Sequence, residues 1–151
     1  MPRVAIAFGS NLGDREASIR GAATALAPRV QDLRLSSMYE TAPVDVGPQP
    51  LFLNAAAVGN TTLSPRQLLD ALLEIEQAFG RERPHAGAAR TLDLDLILYA
   101  DEMAVEPGLV VPHPRFRRRR FVLEPLAEVA SDMRDPVTGR TIEELLRALE
   151  A

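Results

Sequence analysis

Cysteine, tryptophan and lysine are all missing from this chain. The lack of cysteine excludes disulfides and thiolate metal sites, which agrees with a protein of the cytoplasm. No stretch approaches the roughly 20 apolar residues of a membrane span. Nor does a basic region lead into an apolar one near Met1, so an inserted or secreted protein is not expected. Positive charge is in deficit: 17 basic residues against 21 acidic ones give a formal net charge of −4. A general nucleic-acid binder needs the opposite surplus. Internal repeats and low-complexity linkers are wanting too. What remains, 151 residues of which 46% are hydrophobic and 25% charged, fits one domain over residues 1–151 with a substantial core.

All 17 basic residues are therefore Arg, and they concentrate at 81–90 and 115–120. A base-composition bias accounts for the absence of lysine but not for the clustering. Guanidinium is a planar fork that grips phosphate oxygens bidentately, so an acidic protein with two local Arg clusters suits a small polyphosphate. A solvated surface is the plain alternative for a run such as 117–120.

Leucines alternate with other residues along Arg90-Thr91-Leu92-Asp93-Leu94-Asp95-Leu96-Ile97-Leu98-Tyr99, the period-two pattern of a strand. At ~3.3 Å per residue, Asp93 and Asp95 share a face with Cα atoms roughly 6.6 Å apart. Leu92, Leu94, Leu96 and Leu98 are expected on the other face, with Ile97 and Tyr99 continuing the carboxylate face. Two carboxylates, in a chain with no Cys and two His, suit a hard cation such as Mg²⁺ better than zinc. Two such ions about 3.5 to 4 Å apart form the clamp used for in-line phosphoryl displacement. An ordinary antiparallel strand with an acidic outer face fits the same pattern.

Elsewhere, Arg3 to Phe8 reads as a buried first strand. Gly9-Ser10-Asn11-Leu12-Gly13-Asp14 breaks it without the Lys-Ser/Thr ending of a nucleotide P-loop. Asp14 caps a helix from Arg15 to about Leu26. Val30 to Tyr39 is expected as one strand, with Leu33, Leu35 and Ser37 on one parity. A proline-rich loop from Thr41 to Pro50 follows, then a strand from Phe52 to Val58 carrying the lone amide Asn54, a satisfied core group or a ligand reader. Ser64-Pro65-Arg66-Gln67 opens a helix to Phe79. Residues 81–90 read as an arginine-bearing lid. Met103 to Val111 returns in extended form around Pro107-Gly108, and Phe121 to Ala130 reads as helix despite Pro125. Thr141 caps a last helix with Ile142, Leu145, Leu146 and Leu149 inward. The order β-α-β-β-α-β followed by helices predicts a mainly antiparallel sheet with helices packed on it.

Six segments, taken in order, resemble the 6-hydroxymethyl-7,8-dihydropterin pyrophosphokinase family. They are Gly9 to Gly13, Ser36-Ser37-Met38-Tyr39-Glu40-Thr41, Leu53-Asn54-Ala55-Ala56, Ile75-Glu76 through Gly80-Arg81, Arg90 to Asp95, and Pro112-His113-Pro114-Arg115 to Arg119-Arg120-Phe121. The resemblance implies an α+β, ferredoxin-like α/β sandwich, a role in folate synthesis, ATP as donor and AMP as by-product. It implies two Mg²⁺ ions held by Asp93 and Asp95, with Arg81, Arg83 and Arg90 on the triphosphate. Asp95 or a metal-bound water would accept the proton. His113 and Arg119 match further phosphate-binding positions, and Glu76 borders the nucleotide pocket. Asn54 would pair with the pterin's amide edge, beside Thr41, Pro43 and Val44. Phe121 would stack on the ring, with Phe52 where a tyrosine is frequent.

Two departures stand out. Some relatives cover the pterin with a lid tryptophan, where this sequence has Ala86-Gly87-Ala88-Ala89. Leu73 stands where a glutamine helps to read adenine, leaving more to backbone contacts near Leu96. The expected partners are small molecules, with no nucleic acid and no membrane, and the chain is expected to be a monomer. The rival readings are a nucleic-acid-binding module of the same fold and a two-metal nuclease. Acidic net charge opposes the first, and a shortage of further carboxylates near Asp93 and Asp95 opposes the second.

Overall fold

The computed structural model describes residues 1–41, 51–79 and 92–150. Strand β1 (Arg3–Ser10) lies between β4 (Phe52–Asn60) and β5 (Asp93–Tyr99), with β2 (Gln31–Leu35) and β3 (Tyr39–Thr41) both on the far side of β4. All of these pairings are antiparallel, in the order β2-β4-β1-β5. Helices α1 (Arg15–Leu26) and α2 (Pro65–Ala78) make the crossovers, which gives the ferredoxin-like connectivity. A hairpin of β6 (Ala104–Glu106) and β7 (Leu109–Val111) follows, then a cis Val111–Pro112 bond, a 3-10 turn at Phe116–Arg118, and helices α3 (Arg120–Ala130) and α4 (Ile142–Glu150).

Period two along β1 sorts the layers. Val4, Ile6 and Phe8 face Ile19, Ala22 and Leu26 of α1 and Leu68, Leu72 and Ile75 of α2. Ala5 and Ala7 face α3 and α4, where Leu123, Leu126, Ile142 and Leu145 close the second layer of core. Small residues on that side of β1 and β4 let α3 lie close to the sheet. Each of three helices opens on a side-chain cap. Asp14 accepts from the Ala17 amide, Ser64 and Gln67 form a reciprocal box with Pro65 inside it, and Thr141 and Glu144 form another. Such caps contribute ~1 kcal/mol each. Among the described residues no helix is long and apolar enough to cross a membrane.

Three expectations need correction. The strand expected over Val30 to Tyr39 is two strands, because Ser36 spoils the ladder. Its amide donates to Ala56 O at 2.8 Å, but its hydroxyl oxygen, not its carbonyl, receives the Ala56 amide at 2.9 Å. Pairing slips by one residue, from Leu35 opposite Ala57 to Tyr39 opposite Asn54. Leu33 and Leu35 stay on the α1 and α2 side, while Ser37 turns to Glu128 on α3.

The faces of β5 also change partway. Ala5 sits opposite Leu98 and Ile6 opposite Leu96, so Ile97 is an inserted bulge residue. Ile97 and Leu98 consequently both pack towards α3 and α4, and Tyr99 joins Leu92, Leu94 and Leu96 on the other side. The Tyr99 hydroxyl donates there to Leu63 O. Lastly, Leu149 is 40% exposed rather than inward, since α4 ends beyond the layer that it covers.

Candidate active site

Three strand ends meet at one edge of the sheet: the end of β1 and the starts of β4 and β5. Gly9 there is paired on one side with Asn54 and on the other with Asp93. Residues directly opposite one another share a face, so Asn54, Gly9 and Asp93 form a row on the α3 side. Strand spacing of ~4.8 Å puts Asn54 and Asp93 roughly 10 Å apart across the glycine. One step inward, Ala7 lies opposite Asp95. Both aspartates thus stand on one face, half-buried, beside residues with little or no side chain.

Asn54 is 5% exposed. Its amide nitrogen donates to Thr41 Oγ1 at 2.6 Å and points also at Tyr39 O, at 3.5 Å. The amide oxygen is left leaning over Gly9, where a Cβ would lie 3.6 Å from it and 3.8 Å from the Phe52 ring. Among the described residues no donor reaches that oxygen. Thr41 is itself placed by the short strand β3, whose Tyr39 hydroxyl donates to Glu128 at 2.7 Å. That bond, then burial and the charges of Glu128 and Glu124, push the tyrosine up to about 12, so it stays protonated.

Across the row, the segment from His113 to Phe121 is pinned to β5 by the His113 amide, which donates to Ile97 O at 3.0 Å. The Arg115 amide donates to His113 Nδ1 at 3.2 Å, which leaves the ring proton on Nε2. Burial, then the cations Arg119 and Arg115, lower this histidine to about 4 against the opposing pull of Asp93. It is a neutral donor at pH 7, and Arg119 rather than His113 brings the charge. The Arg119 guanidinium lies 5.5 Å from the Phe121 ring centroid, over one face of the ring.

Glu76, expected at the border of the nucleotide pocket, has a further task. It is 3% exposed, and its carboxylate accepts the Leu94 amide at 2.7 Å. Leu94 therefore turns its backbone away from β1, and Leu96, two residues on, directs its own backbone groups to the same outer edge. The Leu96 side chain is in the core. Leu73 is exposed on α2. Arg81, Arg83, Arg90, Pro43 and Val44, with the expected lid at 81–90, lie outside the described residues. Asp93, Asp95, Asn54, Thr41, Phe52, His113 and Arg119 are brought to the same end of the sheet. Sequence reasoning gave Gly9 only as the opening of a turn and of the first resembling segment, and assigned Glu128 no role.

A family model described as 7,8-dihydro-6-hydroxymethylpterin-pyrophosphokinase matches residues 5–131. The chain belongs to that family. It is 40% identical over 147 residues to the 2-amino-4-hydroxy-6-hydroxymethyldihydropteridine pyrophosphokinase of Synechocystis, covering 96% of this chain and 75% of the relative. Against the enzyme of the same name from Pseudomonas aeruginosa it is 41% identical over 148 residues, covering 97% and 91%. A Plasmodium falciparum HPPK-DHPS crystal structure superposes with a TM-score of 0.79 at 14% identity, covering 97% of this chain and 44% of that longer one. At that identity the likeness concerns fold alone, and the fold is the ferredoxin-like α+β arrangement described above. The chain is thus an enzyme of folate synthesis, and the nucleic-acid module and nuclease readings are not favoured.

Proposed function

We propose that the row Asn54, Gly9, Asp93 is where pyrophosphate passes from ATP to 6-hydroxymethyl-7,8-dihydropterin, the pterin on the Asn54 side and the triphosphate on the aspartate side. ATP is the co-substrate and AMP the by-product. The observation that carries this placement is the pairing of one glycine with a buried amide on one strand and a carboxylate on the other.

Asp93 and Asp95 offer only oxygen donors, and among the described residues no cluster of three or more Asp, Glu, His or Cys surrounds them. That donor set fits Mg²⁺, which keeps positions for water and substrate phosphate, better than zinc. In this reading the two aspartates hold two ions. Magnesium held by Asp93 and Asp95 would supply neutralisation of phosphate charge.

The chain's own groups do the rest. Asn54 Oδ1, fixed by Thr41, accepts from the pterin's N–H edge, and Pro43 and Val44 add to pterin binding. Phe52 and Phe121 supply aromatic faces. His113 donates from neutral Nε2 to a phosphate oxygen, Arg119 adds positive charge, and Arg81, Arg83 and Arg90 contact the triphosphate. Leu96 offers backbone groups to the nucleotide on the edge that Glu76 holds in place. The pterin's hydroxymethyl oxygen attacks the β-phosphorus in line and AMP leaves. Such a transfer depends on positioning and charge more than on a strong base, so Asp95 suffices as acceptor for the hydroxyl proton. The enzyme works as a monomer of one domain in the cytoplasm, on small molecules.

Incubating the protein with the pterin, ATP and Mg²⁺ and separating the nucleotides tests the reading. AMP should form only when pterin is present, and not with Asp95→Asn. ADP as product, or no turnover by folded parent protein, would overturn it.

A further inference from the structure

Strand β3 is only three residues long, and it carries Thr41, which orients Asn54. So short an edge strand has few ladder bonds of its own and depends on outside support. Glu128 supplies it at Tyr39. At the other end the support comes from Arg15, the first residue of α1. Its guanidinium donates through one nitrogen to Leu51 O and through the other to Glu40 Oε2, each at 2.8 Å. Glu40 directly precedes Thr41, Leu51 directly precedes Phe52, and Thr41 and Phe52 are cross-strand partners. One planar fork therefore ties together the last rung of β3 and β4 and fastens it to the start of a helix that is capped at Asp14.

Stability gives no reason for this arrangement. The Arg15 and Glu40 side chains are 29% and 49% exposed, and ion pairs so open to solvent contribute little to folding. Their value is positional. We infer that Arg15 is a positioning residue for the pterin: by holding Glu40 and Leu51 it fixes the spacing of Thr41 and Phe52 on which the orientation of Asn54 depends. The inference rests on the placement of the pterin beside Asn54. The aspartate side of the row lies across β1 from these contacts, so ATP should not sense Arg15.

Steady-state kinetics of Arg15→Ala, Arg15→Lys and Glu40→Gln test it. Losing both contacts of the fork should raise the KM for pterin about tenfold, with the KM for ATP unchanged. Thermal unfolding of the variant should stay within about 3 °C of the parent. Arg15→Lys should fall between parent and Arg15→Ala, because an ammonium reaches one acceptor well but lacks the fork. Glu40→Gln, which keeps the shape and loses the charge, should behave likewise. An unaltered pterin KM in Arg15→Ala would overturn the inference, as would equal rises for both substrates. Parent protein that makes no AMP would sink the functional reading and this one with it. Parent turnover beside an unaltered Arg15→Ala would sink this one alone.

Discussion

Arg117→Met should cost the protein about 3 kcal/mol, the lower end for breaking a buried ion pair. Asp135 is wholly buried and Arg117 23% exposed. The guanidinium donates through Nε and, at 2.9 Å, through a terminal nitrogen, while Thr138 Oγ1 and the Val137 amide also donate to the same carboxylate. Methionine keeps the packing of the stem on Phe116, over whose ring the guanidinium sits at 4.9 Å. It leaves the carboxylate with two donors instead of four, which is why the loss belongs at the lower end of the range. Unfolding entropy near 2.1 cal/mol/K per residue amounts to about 0.3 kcal/mol/K for this length, so the melting temperature should fall by about 10 °C.

The pH dependence separates this loss from a packing defect. Burial pushes Asp135 up, but the hydrogen bonds from Arg117, Thr138 and Val137 outweigh it and hold the carboxyl below its ordinary 3.8. A depressed carboxyl contributes stability that is present above the unfolded pKa and lost as pH falls through the folded value. The gap between parent and Arg117→Met should therefore be full at neutral pH and narrow in acid. Arg117→Met with Asp135→Asn should recover part of the loss. Thermal unfolding followed by circular dichroism would refute the reasoning if the single variant melted with the parent at neutral pH, or if the gap persisted unchanged in acid.

Gly59→Ala should destabilise by about 1–3 kcal/mol, as its Cβ would lie 2.5 Å from Val30 Cγ1 and 2.8 Å from the Gln31 carbonyl oxygen; denaturant melts measure it. Gly9→Ala meets only ordinary contacts at 3.6 and 3.8 Å, so it should fold like the parent yet lower kcat/KM for pterin about tenfold or more, one methyl filling the floor of the row. His113 should titrate near 4 by NMR and carry no charge at pH 6 and above. The rate should accordingly show no inflection from it between pH 6 and 8, and a titration near the ordinary 6.5 would contradict the site's electrostatics.

Much of this was legible from residue order alone, and the failures share one cause. Helix starts depend on neighbours within four residues, so Asp14, Ser64 and Thr141 were readable as caps. The aspartate pair was readable because period two fixes which residues share a face. Ser36 and Ile97 broke that rule: a bulge is set by the partner strand across the ladder, and nothing next to either residue signals it. The partners of Glu76, Glu128 and Asp135 were likewise beyond reach, since only folding places a backbone amide, a phenol or a guanidinium against them. The role of Gly9 depended on two strands that arrive some 45 and 84 positions later in the chain.

The placement of the two substrates is tested most directly by the KM values of Asn54→Ala for pterin and for ATP. The row predicts that the pterin KM rises by about tenfold or more, for loss of a buried acceptor and the Thr41 contact, while the ATP KM stays at the parent value. An unchanged pterin KM, or an equal rise for ATP, would contradict a site in which Asn54 and Asp93 hold different substrates across Gly9.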